Sequence, residues 1–253
     1  PLALAQSRLV AARLAREGGG DEMAFPIAGF VTSGDRIKNG PLLEAGGKGL
    51  FTKELDEALF DRRIDIAVHS LKDLPTKLPS GIALASIPAR EDPRDAFLSR
   101  RAADLKSLPP GAVVGTASLR RQAQALHLRP DLKVIALRGS VETRLKKLDA
   151  ASIDATFLAL AGLRRLGLAG HATALIDPEE MPPAPGQGAL AVTCRADDES
   201  TLALLAALSI PEHEIAITAE RAFLEALDGS CRTPIGALAR WEDGRRSFRG
   251  EVL

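Results

Sequence analysis

Residues Ile64–Pro75 read Ile-Asp-Ile-Ala-Val-His-Ser-Leu-Lys-Asp-Leu-Pro, an apolar run that gives way abruptly to polar and charged side chains. A short apolar run rich in β-branched residues predicts a buried strand over Ile64–Val68. Lys72 and Asp73 would then follow the carboxyl end of that strand, where open α/β sheets bind their ligands. The stretch favours an α/β fold with a charged site at a sheet edge, although a strand followed by a solvated loop fits this stretch alone equally well.

A second α/β unit follows, built from alternating strand and helix patterns. Its strands are predicted over Ala112–Gly115, Leu132–Leu137 and Asp154–Leu160, and its helices over Leu119–Leu128 and 141–150, with Ser118 and Ser140 as their N-caps. This alternation predicts a parallel sheet with right-handed crossovers. Because parallel strands place their carboxyl ends at one edge, the residues that follow each strand are expected to gather there.

The remaining segments are assigned from the same periodicities and from Pro/Gly clusters. Helices are predicted over Leu2–Glu17, around Phe51–Leu59, over Thr201–Leu208 and over Glu214–Leu227, and strands over Phe25–Val31, 82–85, Ala189–Cys194 and twice before Leu253. Two irregular crossings, Pro88–Pro93 and Met181–Gly188, divide the chain into a first lobe over residues 1–90 plus 189–208, a second lobe over 91–188 and a third segment over 209–253.

The totals argue against several classes of protein. Lys+Arg and Asp+Glu both number 33, so the formal net charge is zero, and aromatic residues make up 4% of the 253 residues. A protein that binds nucleic acid or a membrane surface through bulk charge would be strongly basic. No apolar run reaches the ~18 residues of a membrane span. The two cysteines, Cys194 and Cys231, are too few for a disulfide framework, which favours a reducing compartment.

Basic residues follow the predicted strands of the second unit. They are Arg120 and Arg121 after Val113–Val114, Arg138 after Leu137, and Arg164–Arg165 after Leu160. A cation in the first turn of a helix opposes the helix dipole, at a cost of roughly a few tenths of a kcal/mol. An anion bound there by guanidinium and backbone N–H groups removes that conflict. The set indicates a ligand with several carboxylates or phosphates; the alternative is that the arginines are simply solvated.

Asp73 and Cys231 are the candidate reactive residues. Asp73 is expected to face those arginines, whose positive field would favour its carboxylate form. It could stabilise a cationic intermediate, donate a proton when protonated, or serve only as a turn residue. Cys231 lies in a Gly/Ser/Pro loop beside Arg232, a setting that can expose a thiol and lower its pKa. It is a candidate nucleophile or covalent attachment point, or an ordinary surface thiol, whereas Cys194 is predicted to be buried.

Other motifs fail their tests. Gly46-Gly47-Lys48-Gly49 lacks the Ser/Thr that follows the lysine of a phosphate-binding loop, which leaves Lys48 as a cation on a flexible loop. The histidines have no metal-ligand spacing, and no glycine fingerprint for a dinucleotide occurs.

The chain resembles the porphobilinogen deaminase family, also called hydroxymethylbilane synthases, over essentially its whole length. Each matching segment is weakly specific alone, but the ordered set is highly specific. The segments are Gly46–Phe51, Ala67–Pro75, Arg90–Asp95, Gly115–Arg121, Leu137–Gly139, Gly186–Gly188 and Gly229–Gly236.

This resemblance implies an α/β fold with two lobes like those of periplasmic binding proteins and a small α+β C-terminal domain that carries the cysteine. It implies a transferase of tetrapyrrole (haem) biosynthesis that joins four porphobilinogen molecules head to tail with loss of ammonia. The product grows on one covalent dipyrromethane cofactor per chain, held by a thioether at Cys231. A cytoplasmic monomer that binds neither nucleic acid nor membrane is expected.

The resemblance also implies roles for individual residues. Asp73 matches the catalytic aspartate, which protonates the leaving amine and stabilises an azafulvenium-like cation. The cofactor-binding positions match Cys231, Lys72, Ser118, Arg120, Arg121, Arg138 and Gln187, the substrate-binding positions match Arg144, Arg165 and Lys48, and no metal is implied. Each pyrrole carries two carboxylates, so a growing chain is a polyanion that suits repeated arginines.

The chain departs from the family pattern at three places. The family's Arg-x-Ser segment would precede Pro1–Leu4, the sheet of the third domain is incomplete at Leu253, and Ser140 stands where asparagine is usual. The competing class is a non-catalytic solute-binding module, which would also have two α/β lobes and a charged cleft. Cys231 separates the two, because a binding module needs no thiol in a glycine loop at its cleft. Nucleic-acid binding ranks third, given the zero net charge and few aromatic residues.

Overall fold

The structure, a computed structural model of the chain, describes residues 1–18, 20–21, 24–33, 52–229, 233–242 and 244–253. Its helices are α1 (Leu2–Gly18), α2 (Lys53–Phe60), α3 (Leu119–Leu128), α4 (Val141–Asp149), α5 (Leu160–Arg165), α6 (Glu199–Ala206) and α7 (Pro211–Ala226). Its strands are β1 (Ile66–Ser70), β2 (Ile82–Ser86), β3 (Asp95–Ser99), β4 (Val113–Gly115), β5 (Lys133–Ile135), β6 (Ala155–Ala159), β7 (Ala174–Leu175), β8 (Leu190–Arg195), β9 (Ile235–Glu242) and β10 (Arg245–Val252). These elements confirm the predicted α/β class.

The largest sheet has five strands in the order β5-β4-β6-β3-β7. Strands β5, β4 and β6 are parallel, as predicted, whereas β3 runs antiparallel to both β6 and β7. The parallel arrangement predicted for these three strands is confirmed, and the sheet as a whole is mixed because it also contains β3 and β7, which were not predicted. Every residue of β3 is buried, which marks it as a central strand covered on both faces. Phe97 of β3 and Phe157 of β6 lie side by side in the core, with ring centroids 6.0 Å apart.

A second sheet has three strands in the order β1-β8-β2, and β8 is antiparallel to both neighbours. Strand β8 is buried along its whole length, with α1 and α6 packed near one face of the sheet. Strand β1 ends at Ser70 rather than at the predicted Val68, because His69 and Ser70 pair with Ala191 and Leu190. The polar residues after the strand therefore begin with Lys72 and Asp73, in a single 3₁₀ turn over Leu71–Asp73.

The C-terminal segment pairs β9 with β10 as an antiparallel hairpin, and α7 packs against β9. Phe223 of α7 meets Phe248 of β10 edge to face, at 5.4 Å between ring centroids. Helix α7 begins three residues earlier than predicted because Pro211 occupies its first turn, where a missing N–H costs nothing. Both of the expected C-terminal strands are present.

Two predicted elements differ from the structure, and two of its strands were not predicted. Phe25–Val31 forms neither helix nor strand: Pro26 has no N–H to donate, and Ile27 and Val31 are 42% and 63% exposed. Strands β3 and β7 were not predicted. Leu160–Arg165 is helix α5 rather than a strand end, so Arg164 and Arg165 lie in its last turn.

Among the residues that the structure describes, no single helix is both long and apolar enough to cross a membrane. The bent pair α6 and α7 meets that criterion, by length and composition only, when the two helices are taken together.

Candidate active site

A buried leucine holds the turn after β1 against the core. Leu71 is 1% exposed and donates its N–H to the Ala189 carbonyl at 3.1 Å, which ties the turn to the start of β8. Gly186 lies against the Leu71 side chain so closely that a Cβ there would overlap it. The turn that carries Lys72 and Asp73 therefore has a fixed position.

Asp95, the first residue of β3, is the centre of the site, and sequence reasoning missed it. Its side chain is fully buried and accepts hydrogen bonds from three neighbours. Arg120 Nη2 lies 2.8 Å from Oδ2, Arg121 Nη2 lies 2.7 Å from Oδ1, and Gln187 Nε2 also lies 2.7 Å from Oδ1. Burial disfavours the charged carboxylate, but the two arginine charges and their hydrogen bonds outweigh it and hold the pKa of Asp95 far below its usual value.

Helix α3 supplies both arginines from its first turn, as predicted. Ser118 caps the helix by accepting from the Arg121 N–H at 3.4 Å. Arg120 also donates to Gln124 Oε1 at 2.7 Å and to the Pro182 carbonyl at 2.9 Å, and Arg121 donates to the Phe157 carbonyl at 3.1 Å. An anion is expected next to these two cations, and the structure has one within the protein itself, the carboxylate of Asp95. One carboxylate facing two guanidinium groups leaves positive charge over.

Gln187 connects this cluster to the turn after β1. It is fully buried, and its Oε1 accepts from Lys72 Nζ at 3.4 Å while its Nε2 donates to Asp95 and to the Pro93 carbonyl. Burial lowers the pKa of Lys72 to about 8; the positive charges of Arg121 and Arg120 act in the same direction, and the negative charges of Asp73 and Asp95 oppose it. Lys72 therefore carries an incompletely stabilised charge next to the arginine cluster.

The pKa of Asp73 reflects both the predicted positive field and a loss of hydration that was not predicted. Its side chain reaches solvent, yet it lies deep among protein atoms, and this burial raises its pKa above 3.8 despite the opposing charges of Lys72, Arg121 and Arg144. The predicted effect of the positive field is present, since all three charges lower the pKa, but the loss of hydration, which was not predicted, has the larger effect. A carboxyl group with a raised pKa is a better proton donor near neutral pH.

Three further predicted arginines surround the cluster. Arg144, at the start of α4, donates Nε to the Gly139 carbonyl at 3.0 Å, and its pKa is lowered by burial and by the charges of Arg121 and Arg138. Arg138 is half-buried. Arg165 donates to the Gly188 carbonyl at 2.6 Å, and burial lowers its pKa as well. Arg138 and Arg144 thus add positive charge next to Arg121 and Asp73, whereas Arg165 contacts the backbone beside Gln187 and interacts with the charges of Glu91 and Arg13.

Several buried guanidinium nitrogens of these residues lack a partner within the described part of the chain. The Nε atoms of Arg120, Arg121 and Arg165 are all inaccessible to solvent and make no hydrogen bond there. Buried donors are normally satisfied. The site is therefore incompletely satisfied as it stands, which suits the binding of an anionic group.

Two predicted site residues, Lys48 and Cys231, lie outside the described residues. A separate cavity of about 440 Å³ is lined by Phe60, Arg62, Gly81, Arg195, Ala196 and Asp197, and it contains no predicted site residue. Arg195 is already paired there with Asp65 at 2.6 Å and Asp198 at 2.7 Å. The chemistry-bearing groups converge at the end of β1 rather than at this cavity.

Sequence reasoning also missed a buried ion pair behind the site. Arg90 Nη1 lies 2.6 Å from Glu220 Oε1, and Arg90 Nε donates to the Gln187 carbonyl at 2.9 Å. Arg90 and Asp95 both lie in a segment, Arg90–Asp95, that is one of the segments carrying the family resemblance. The available signal was the density of charged residues in a crossing that was taken to be an irregular connection.

Sequence models of known families match the chain in two places. The model described as "Porphobilinogen deaminase, dipyromethane cofactor binding domain" matches residues 1–203, and "Porphobilinogen deaminase, C-terminal domain" matches residues 214–253. Relatives named porphobilinogen deaminase are 56% identical in Phenylobacterium zucineum, 54% in Nitrobacter winogradskyi and 54% in Caulobacter vibrioides. These alignments cover 100% of this chain and 81%, 80% and 80% of the relatives.

Solved structures with some similarity include the methionine binding protein MetQ, with a TM-score of 0.49 and 16% identity over 88% of this chain and 91% of that one. A periplasmic substrate-binding protein of an ABC transporter from Coxiella burnetii has a TM-score of 0.48 and 16% identity, over 86% of this chain and 92% of that one.

Proposed function

The chain belongs to the porphobilinogen deaminase family, and from that premise we propose how its residues carry out the family's reaction. The reaction is a transferase step of porphyrin biosynthesis, in which four porphobilinogen molecules are condensed head to tail into hydroxymethylbilane with release of ammonia. The observation that carries this conclusion is the match at 54–56% identity along the whole chain. A dipyrromethane cofactor, when bound, supplies the primer on which the pyrrole chain is extended.

The described residues fit such a polyanionic group. Arg120 and Arg121 are only half neutralised by Asp95, and each has a buried Nε without a partner among the described residues. Acetate and propionate groups on the pyrroles would supply the missing negative charge, with charge-assisted hydrogen bonds to those cationic groups that a ligand can reach. The residues proposed to hold the cofactor are Lys72, Ser118, Arg120, Arg121, Arg138 and Gln187, with a thioether to Cys231.

Incoming porphobilinogen is proposed to be bound through its carboxylates by Arg144, Arg165 and Lys48. Arg144 and Arg165 both have lowered pKa values because burial leaves their charge poorly hydrated. A substrate carboxylate would replace that lost hydration and orient the ring. Arg144 lies near Asp73, as their mutual charge interaction indicates.

Asp73 is proposed as the catalytic acid and as the counter-charge of the reaction. Its raised pKa suits protonation of the leaving amine of porphobilinogen. Once ionised, the carboxylate is proposed to stabilise the positive charge that develops on the pyrrole and to accept from the ring N–H. Lys72, Arg121 and Arg144, whose charges act on Asp73, are proposed to bind carboxylates of the ligands next to it.

The remaining proposals concern the molecule as a whole. We propose domains over residues 1–90 plus 189–208, 91–188 and 209–253, and the separate three-stranded, five-stranded and two-stranded sheets support these boundaries. A cytoplasmic location is supported by the low cysteine content. A monomer that binds neither nucleic acid nor membrane is proposed from the resemblance and from the zero net charge.

The test is the intact mass of the purified protein before and after free thiols are blocked. Excess mass equal to two pyrrole units, located in the peptide that contains Cys231, is expected. Cys231→Ser should lack this mass, whereas Cys194→Ser, which removes the buried cysteine of β8, should keep it. A wild-type protein with two free thiols that gains no mass from added porphobilinogen would contradict the proposal.

A further inference from the structure

The buried carboxylate of Asp95 has no role in the reaction proposed above. We propose that Asp95 is a positioning residue: it clamps the guanidinium groups of Arg120 and Arg121 and the amide of Gln187 in the arrangement that receives ligand carboxylates. The inference rests on the proposed function only in naming that ligand. The clamp itself is argued from the contacts of Asp95.

The first step is geometric. Successive side chains leave an α-helix about 100° apart, so neighbouring arginines on α3 would normally diverge. Here both reach the same carboxylate, Arg120 through Oδ2 at 2.8 Å and Arg121 through Oδ1 at 2.7 Å. Convergence of two like charges needs an anion between them. Asp95 is that anion, and without it the two guanidinium groups would repel each other.

The second step concerns rigidity. Asp95 begins β3, a central strand whose five residues are all buried, and its carbonyl accepts from the Ile176 N–H at 2.9 Å. Its backbone is therefore held by the sheet rather than by a loop. Because the sheet fixes this carboxylate, the carboxylate in turn fixes the three side chains that donate to it, two from α3 and one, Gln187, from the return crossing. Sites built on rigid elements hold their binding groups more accurately.

The third step concerns charge. The single charge of Asp95 balances one of the two guanidinium charges. The neutral amide of Gln187 donates to Asp95 and accepts from Lys72, so it links the two without adding charge. Glu251 lies on the other side, where it accepts from Gln124 at 2.7 Å, and Asp73 faces Lys72 and Arg121. Asp95 is the carboxylate that binds both guanidinium groups directly, and the charge of Glu251 also acts on Arg120. Among the described residues, with Arg138 and Arg144 counted, five cations face the three carboxylates Asp95, Glu251 and Asp73, and the surplus positive charge is available to the carboxylates of a ligand.

The experiment compares Asp95→Ala with wild type in the full chain, with and without sodium formate. Alanine removes the carboxyl group next to two guanidinium groups, and formate is the removed group as a free ion. In Asp95→Ala, the covalent cofactor occupancy, measured by intact mass, is expected to fall. For the fraction that does carry cofactor, the reciprocal of KM for porphobilinogen is expected to fall by roughly 30-fold or more, with a smaller effect on kcat per loaded molecule. Formate should restore melting temperature and occupancy, whereas sodium chloride at equal ionic strength should not.

Asp131→Ala is the matched control. Asp131 also pairs with an arginine, Arg129, at the far end of the same helix, but it is 40% exposed in its side chain and touches no site residue. It should show wild-type occupancy and no formate effect. Asp95→Asn provides a second variant of the same shape if Asp95→Ala is insoluble. It should also lose occupancy, because it removes the negative charge and its NH₂ group faces at least one of the donors that Asp95 accepts from.

Two results would overturn the clamp: wild-type occupancy and KM in both Asp95 variants, or equal recovery with chloride and formate. Failure of the proposed function has a different signature, a wild-type chain that carries no cofactor and gains none from porphobilinogen. In that case the formate-specific recovery of melting temperature in Asp95→Ala still decides whether the clamp exists.

Discussion

Asp73 and Lys72 are adjacent residues whose charged forms are both disfavoured by burial. The pKa of Asp73 is raised, and that of Lys72 is lowered to about 8, although each group has an opposite charge beside it. Ordinary ion pairing would shift both pKa values the other way. Both charged groups are therefore poorly hydrated. A ligand that places a carboxylate next to Lys72 and a cationic centre next to Asp73 would stabilise both charges at once.

Asp73→Asn is predicted to lower kcat by roughly 10²–10⁴-fold, since the amide cannot donate the proton that general acid catalysis requires. The same change should raise the free energy of unfolding at neutral pH. The folded-state pKa lies above the unfolded value of 3.8, so the stability that Asp73 contributes is present below about pH 4 and is lost as the pH rises through the folded-state pKa. Asparagine has no such loss.

Urea unfolding of both proteins at about pH 4 and at neutral pH, together with the rate of hydroxymethylbilane formation, would check this prediction. Asp149→Asn is the control, because Asp149 is an exposed partner of Arg100 and should change neither quantity appreciably. Near-normal turnover in Asp73→Asn would remove Asp73 from the acid role. A variant less stable than wild type at neutral pH would show that its attraction to Lys72 exceeds the cost of burial.

At the scale of elements, local signals predicted what depends on local structure. Helices α3 and α4 were placed correctly because Ser118 and Ser140 cap them, and the cap bonds to Arg121 and Thr143 are formed. Strand β3 was missed because it follows a proline-containing crossing and owes its existence to pairing with β6 and β7, which are distant in sequence. Missing β3 also meant missing Asp95, so the arginines were predicted without their internal counter-ion.

The return crossing, Met181–Gly188, was predicted to be irregular, and two of its glycines show why. Gly186 and Gly188 have φ of +75° and +88°, and a Cβ on Gly188 would overlap the carbonyl oxygen of Glu91 in the other crossing. Glu91 in turn donates its N–H to the Gly188 carbonyl at 3.2 Å. The two crossings therefore run in direct backbone contact, and Gln187 is held between these glycines with its amide directed at Asp95.

Gly188→Ala is predicted to destabilise the protein by about 1–2 kcal/mol from the positive φ alone, and by more once the overlap with Glu91 is included. The displaced Gln187 should also lose its contact with Asp95, so cofactor occupancy is expected to fall. Thermal unfolding and intact mass measure the two effects. Gly167→Ala is the control: Gly167 has φ of +70° but open space around it, so only the conformational cost is expected there. Equal losses in both variants would show that the crossings separate without cost.

At the scale of the whole molecule, one buried carboxylate joins the C-terminal unit to both crossings. Glu220 of α7 is fully buried and accepts from the two Nη atoms of Arg90 in the first crossing, at 2.6 and 3.1 Å. It also accepts from the Gly186 N–H of the return crossing at 2.6 Å and from the Ala239 N–H of β9 at 2.8 Å. These contacts could not be read from the sequence, because they join four segments that are far apart in the chain.

This arrangement makes Glu220 the point where the position of the C-terminal unit is fixed relative to the two lobes. Beside it, the Ala237 N–H donates to the Pro183 carbonyl at 2.8 Å, and the neighbouring Pro182 carbonyl accepts from Arg120 and Gln124. The same short segment therefore contacts β9 on one side and the arginine cluster on the other. If Cys231 holds the cofactor as proposed, the distance between its attachment point and the arginines depends on this junction.

Glu220→Gln is predicted to cost about 3–5 kcal/mol of unfolding free energy, because it leaves the Arg90 charge buried without its partner and turns one acceptor oxygen into a donor that faces other donors. The amides of Gly186, Ala237 and Ala239 should exchange with solvent faster than in wild type while the core of the five-stranded sheet stays protected, since the junction loosens before the lobes unfold. Glu225→Gln on the same helix is the matched control; Glu225 meets Lys77 at the surface, and its loss should cost about 0.5 kcal/mol or less. Urea unfolding and hydrogen exchange of wild type and both variants test whether Glu220 fixes the junction. Equal destabilisation by the two variants would contradict this role, and so would faster exchange spread evenly over both lobes. Either result would show that Glu220 contributes only to general stability.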